Sequence, residues 1–159
     1  MRAPLACEHD MKSIEPDDLV TIFEKLPGMC LILDTSFNIV AQNDAHEKAT
    51  LTRRKDTVGR FLFEVFPDNP NHQNAVGLSA VRESLLTVLK TRAPHRIEAI
   101  KYDIARPLSQ GGGFEERYWT ITSTPVLGAD GFVRWIINTA DDITELVALR
   151  ARANAGHSS

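Results

Sequence analysis

Few groups in this 159-residue chain could carry out chemistry: five histidines, two cysteines, the tandem Asp141-Asp142 and the run Gly111-Gly112-Gly113. Adjacent carboxylates on a strand point to opposite faces, so Asp141-Asp142 reads as a helix cap plus a solvated acid and not as a metal site. The glycine run precedes no Lys-Ser/Thr and opens no helix, which makes it a hairpin loop and not a phosphate cradle. No Gly-x-Ser-x-Gly elbow, no serine with an evident His/Asp set and no Cys-x-x-Cys spacing occurs. The expectation is a chain without catalytic residues or a metal site, that is, not an enzyme. Haem would need an axial ligand, usually histidine. His9 and His157 lie near the chain ends, His46 on a short helix expected to be exposed, and His95 at the start of a strand. His72 lies just before the longest helix, in the polar stretch Asn69-Pro70-Asn71-His72-Gln73-Asn74, which suits a solvated loop.

The composition, 43% hydrophobic and 25% charged, is that of a globular chain. With 18 basic against 21 acidic residues, it lacks the basic surplus that binds nucleic acid through bulk charge. Apolar runs of about five residues fall short of the roughly 20 needed to span a bilayer, and the N-terminus has no signal-peptide core. Cys7 and Cys30 are too few for a disulfide scaffold. A cytoplasmic protein with neither nucleic acid nor membrane as partner is expected.

The elements that must position any site follow from periodicity. Residues 1–14 form a flexible lead-in. Residues 15–27 form an amphipathic helix, opened by Glu15-Pro16-Asp17-Asp18, carrying Leu19, Ile22, Phe23 and Leu26, and stopped by Pro27-Gly28. Residues 29–41 make a hairpin. Asn43 caps a short helix reaching about Thr50, and residues 61–66 make one helical turn. In residues 75–90, Leu78, Val81, Leu85, Val88 and Leu89 form a helical stripe. Strands over 95–104, 114–126 and 132–141 follow, and their short links force antiparallel pairing. The fold class is α+β: a five-stranded antiparallel sheet covered on one face by helices, with flanking N- and C-terminal helices. Between helix and sheet, the candidates for lining a ligand pocket are Leu78, Val81, Leu85, Ile100, Tyr102, Trp119, Ile121, Trp135 and Ile137, with Asn138 and Arg134 as polar positions on the last strand. The same residues would serve as plain core.

Four segments occur in order: Leu26-Pro27-Gly28-Met29 leading into Leu31-Ile32-Leu33-Asp34; Asn38 to Ala45 with its capping Asn43; Val58-Gly59-Arg60 before Leu62-Phe63-Glu64-Val65-Phe66; and Asp141-Asp142-Ile143-Thr144-Glu145-Leu146. In that order, over about residues 16–149, they resemble the PAS domain family of bacterial sensory proteins. Asp142, three residues before Glu145, also reads as a capping box that starts a helix where a strand ends. Thr50-Leu51-Thr52 departs from the family, many members of which carry glycine after the first short helix.

The resemblance implies a core over 28–142 with Gly59 as a structural residue, and signal relay through Asp142, Ile143 and Thr144 into an output helix over 143–159. It implies binding of a small molecule or partner, a homodimer through residues 16–26 and the C-terminal helix, and a downstream effector such as a histidine kinase of a two-component system. The cofactor is left unknown. Haem, for which relatives can place a ligand near His72, and flavin are open but not indicated. Covalent light-sensing flavin chemistry is disfavoured, because Val58-Gly59-Arg60-Phe61-Leu62 carries no cysteine. The alternatives are a ligand-free interaction module and a small α+β enzyme. The chain would then be a stand-alone sensor or the sensory segment of something longer.

Overall fold

A computed structural model describes residues 12–71 and 76–157; His72 lies outside them. Helix α1 (Pro16–Glu24) precedes strands β1 (Met29–Leu33) and β2 (Ile39–Gln42), and then the short helices α2 (Asp44–Thr50), α3 (Arg54–Thr57) and α4 (Leu62–Val65). Helix α5 (Gly77–Thr91) leads to β3 (His95–Lys101), a two-residue ribbon of β4 (Ile104–Ala105) and β5 (Phe114–Glu115), the long strands β6 (Tyr118–Leu127) and β7 (Val133–Asp142), and α6 (Thr144–Ala155). The sheet order is β2-β1-β7-β6-β3, with every pair antiparallel. The expected five-stranded sheet with flanking helices is thus observed. Two details differ: the polar stretch 51–60 contains α3, and the strand expected over 95–104 breaks after Lys101, with Ile104–Ala105 pairing separately with Phe114–Glu115.

The core lies between one sheet face and the helices. Val81, Leu85 and Val88 of α5 bury their stripe against Ile100, Trp119, Ile121 and Ile136. On the β2 side, Gly59 sits at φ +86° and donates its N–H to Ile39 O (2.7 Å), while Ile39 N–H donates to Arg60 O (2.9 Å). That left-handed turn suits glycine, and it lays the chain before α4 along β2.

Asn43 caps α2 as expected, and it does more. Its fully buried carboxamide accepts from His46 N–H (3.1 Å) and Cys30 N–H (2.9 Å), and donates to Gly28 O (2.7 Å) and Leu26 O (3.3 Å). One side chain thereby fixes the α1–β1 link, the start of β1 at Cys30 and the start of α2. At the other end of α2, Leu51 adopts the left-handed conformation (φ +57°), where the family's glycine would carry no Cβ penalty. Outside α2, Arg54 pairs with Glu47 (2.8 Å), Asp44 and Glu24 of α1 (2.5 Å), and Lys25 pairs with Asp44 (2.6 Å). These ion pairs tether α1 to the body, whereas Leu19, Val20, Ile22 and Leu26 stay exposed.

Replacing Asn43 with alanine removes a cap and leaves the Cys30 N–H buried without a partner, a combined loss of about 2–4 kcal/mol. Asn43→Asp keeps both accepted bonds and loses the donated pair, so its urea midpoint should fall between wild type and Asn43→Ala.

Candidate functional site

A cavity of about 70 Å³ lies between the sheet and the helices. Val81 of α5, Tyr102 after β3, Trp119 and Ile121 of β6, and Asn138 of β7 border it, all five among the sequence candidates. Leu78, Leu85 and Ile100 sit in the neighbouring core without bordering it. Trp135 and Ile137 lie on the opposite face of the sheet, which corrects their expected placement. Strand alternation puts Ile136, Asn138 and Ala140 inward, so their neighbours cannot also face α5. Arg134 shares the parity of Ile136 and Asn138 but lies exposed near the start of β7 and does not border the cavity.

Sequence reasoning missed the α2 contribution. His46 is not exposed: its side chain is buried, borders the cavity and meets the Phe66 ring edge-on at 5.6 Å. Behind it stands a polar chain. Thr57 Oγ1 donates to Gln42 Oε1, and Gln42 Nε2 donates to His46 Nδ1 (2.9 Å) and Thr52 Oγ1 (2.7 Å). With Nδ1 accepting, the neutral ring carries its proton on Nε2. Burial pushes the imidazole down to about 4, so His46 is neutral at neutral pH. The available signal was positional: His46 and Thr50 are four residues apart on the side of α2 away from Asp44, Glu47 and Lys48.

Tyr102 forms another wall. Its hydroxyl donates to Phe66 O, and its burial, with the Asp68 charge nearby, holds the phenol protonated. Gly77 opens α5 directly against it: a Cβ there would lie 2.5 Å from the Tyr102 ring and 2.9 Å from Lys101 O, so only glycine fits. Trp119 donates its Nε1–H to Tyr102 O (2.7 Å).

The wall residue Trp119 follows Tyr118, and Tyr118 holds the start of α6. Ile143 N–H donates to Tyr118 O (2.9 Å), and Tyr118 N–H donates to Thr144 Oγ1 (2.9 Å). Asp142 Oδ1 accepts from Thr144 N–H (2.9 Å) and Thr144 Oγ1–H (2.5 Å). The expected Asp142–Glu145 capping box is therefore replaced by a tighter Asx turn onto Thr144, because Thr144 supplies both a backbone and a hydroxyl donor two residues on. Arg117 Nε lies 3.4 Å from Asp142 Oδ2.

Residues 23–148 match the family described as PAS fold, which covers most of the chain. The chain belongs to the PAS fold family. Three solved structures share this PAS architecture. A PAS domain from Colwellia psychrerythraea is 11% identical, with 81% of this chain and 97% of that one covered and a TM-score of 0.62. A sensory box sensor histidine kinase from Vibrio cholerae is 17% identical (79% and 89% covered, TM-score 0.53). VqmA of Vibrio cholerae, a LuxR-type receptor solved as a dimer, is 20% identical (83% and 53% covered, TM-score 0.57). At these identities the likeness is one of PAS fold.

The sequence leaves haem and flavin open. A cavity of about 70 Å³ is far smaller than the roughly 300–1,000 Å³ of sites for drug-sized ligands, so neither group fits the site as it stands. Among the described residues, no cluster of three or more His, Cys, Asp or Glu side chains could hold a metal, and no helix is long and apolar enough to cross a membrane.

His46 titrates near 6.5 when unfolded and near 4 in the fold, so the unfolded state binds more protons between these values. Stability must fall as pH drops through that window, by on the order of 2 kcal/mol from about pH 7 to about pH 5 at 1.36 kcal/mol per unit. Urea midpoints of His46→Gln should lack this component; parallel pH profiles for variant and wild type would contradict it.

Proposed function

We propose that this PAS domain is a sensor: occupancy of the cavity shifts the population of α6 conformations, and an effector reads α6. The observation that carries this reading is the junction at β6. Trp119 borders the cavity, and its neighbour Tyr118 is bonded on both backbone groups to Ile143 and Thr144. A change in the wall strand reaches the first turn of α6 through two hydrogen bonds. Ligands shift such equilibria only by differential affinity, so even a small ligand suffices if it favours one wall position. The fold-level likeness to a sensor histidine kinase and to a LuxR-type receptor supports signalling to an effector of either kind. The chain itself is proposed to sense and not to catalyse.

Self-association belongs to the same proposal. α1 exposes Leu19, Val20 and Ile22, and α6 exposes Leu146 and Leu149. A second copy is the occupant proposed for these faces, as VqmA forms a dimer. The small cavity favours one competing reading, a PAS module that binds partners without a ligand.

Ala140 borders the cavity and is small enough for a larger side chain to stand in for a ligand. Hydrogen exchange of the amides at 143–150 in Ala140→Leu should change several-fold if wall and helix are coupled. A folded variant with unchanged exchange there would sink the relay. Native mass and absorbance spectra of the purified protein would separate a colourless bound metabolite from an empty module. Light scattering should show a dimer for wild type and a monomer for Ile22→Glu; a wild-type monomer at high concentration would remove the self-association.

A further inference from the structure

The cavity wall is apolar except for a few polar groups, and two of these have an atom to spare. His46 Nδ1 is engaged by Gln42, whereas no group among the described residues bonds Nε2. Asn138 donates Nδ2–H to Ser123 Oγ (3.0 Å), which leaves Oδ1 without a side-chain or loop partner among the described residues. No side-chain nitrogen or oxygen among the described residues is both fully buried and unpartnered. Nε2 and Oδ1 must therefore open onto space that water can enter. His46 is 6% exposed and Asn138 8%, and the space both border is the cavity. Among the described residues, the wall thus presents one uncommitted donor and one uncommitted acceptor; the Thr50 hydroxyl that also borders it is bonded to His46 O and Thr52 Oγ1, and the remainder is largely apolar, with no lysine or arginine.

Building on the sensory reading above, we propose that the cavity selects small, uncharged, largely apolar molecules bearing a hydrogen-bond acceptor, such as a ketone or amide carbonyl, which His46 Nε2–H recognises. Gln42 is the positioning residue, because its Nε2–H holds the ring in the tautomer that donates inward. A carboxylate is rejected, since burying it here leaves its charge uncompensated. The volume limits the ligand to the size of on the order of five water molecules, a short chain or a single small ring.

Three probes of matched shape and five heavy atoms each test this: butanone, 2-methyl-1-butene and propionate, titrated into the protein at neutral pH with NMR detection. Butanone should bind about tenfold more tightly than 2-methyl-1-butene, the worth of one net hydrogen bond, and the carboxylate should not compete. Imidazole nitrogen shifts should show Nε2 protonated in the free protein and perturbed only by the ketone. In His46→Phe the preference of ketone over hydrocarbon should vanish; if that variant does not fold, the nitrogen shifts of wild type decide. Equal binding of ketone and hydrocarbon, binding of the carboxylate, a proton on Nδ1, or no ketone binding at millimolar concentration would each overturn the proposal. Should hydrocarbon bind as well as ketone while α6 exchange responds, the sensory reading survives and only the selectivity fails.

Discussion

A single buried carboxamide registers the elements on which the cavity depends. Asn43 fastens β1 at Cys30, the preceding link at Leu26 and Gly28, and the first turn of α2 at His46. Each bond satisfies a backbone group that would otherwise be left unpaired in the interior, where an orphan is costly. Because three segments share one side chain, none can move without breaking bonds in the others. The amide of His46 is pinned by Asn43, and its ring is held by Gln42.

Behind the apolar wall runs a second, polar layer. Thr57, Gln42, Thr52 and His46 satisfy one another in sequence, joining α3, β2 and α2. Such networks stiffen an interior when complete, and this one is complete on its outer side. Its inner terminus is the imidazole edge at the cavity. Tyr102, by contrast, spends its hydroxyl on Phe66 O and shows the cavity only its ring. Rigid polar backing, apolar lining and one uncommitted donor are the features on which the proposed selectivity rests.

Much of this was legible in the chain. Helical spacing located α5, alternation located the long strands, and the Asn43 position announced a cap. The inward parity of β7 was not legible. Val133, Trp135 and Ile137 form the more apolar set, yet Ile136, Asn138 and Ala140 face the helices. The sheet's other face is itself partly apolar, with Ile137 paired to Ile32, so hydrophobicity does not distinguish the two sides. His46 escaped for a related reason. Its inward face on α2 is made of His, Ala and Thr, residues too weakly apolar to mark a buried stripe. At Asp142 the local competition between a turn onto Thr144 and a box with Glu145 is decided by geometry at the strand end, which spacing alone does not encode.

The two flanking helices are attached by different physics. α1 is held through charge, Glu24 and Lys25 against Arg54 and Asp44 at the solvent boundary. α6 is held through uncharged hydrogen bonds to the Tyr118 backbone, from Ile143 N–H and to Thr144 Oγ1. Mobile ions screen the first kind of attachment over about a nanometre and leave the second almost untouched. Ionic strength therefore acts on this domain as a one-sided lever: it loosens the leading helix, while the trailing helix, bonded to the strand that carries Trp119, keeps its place.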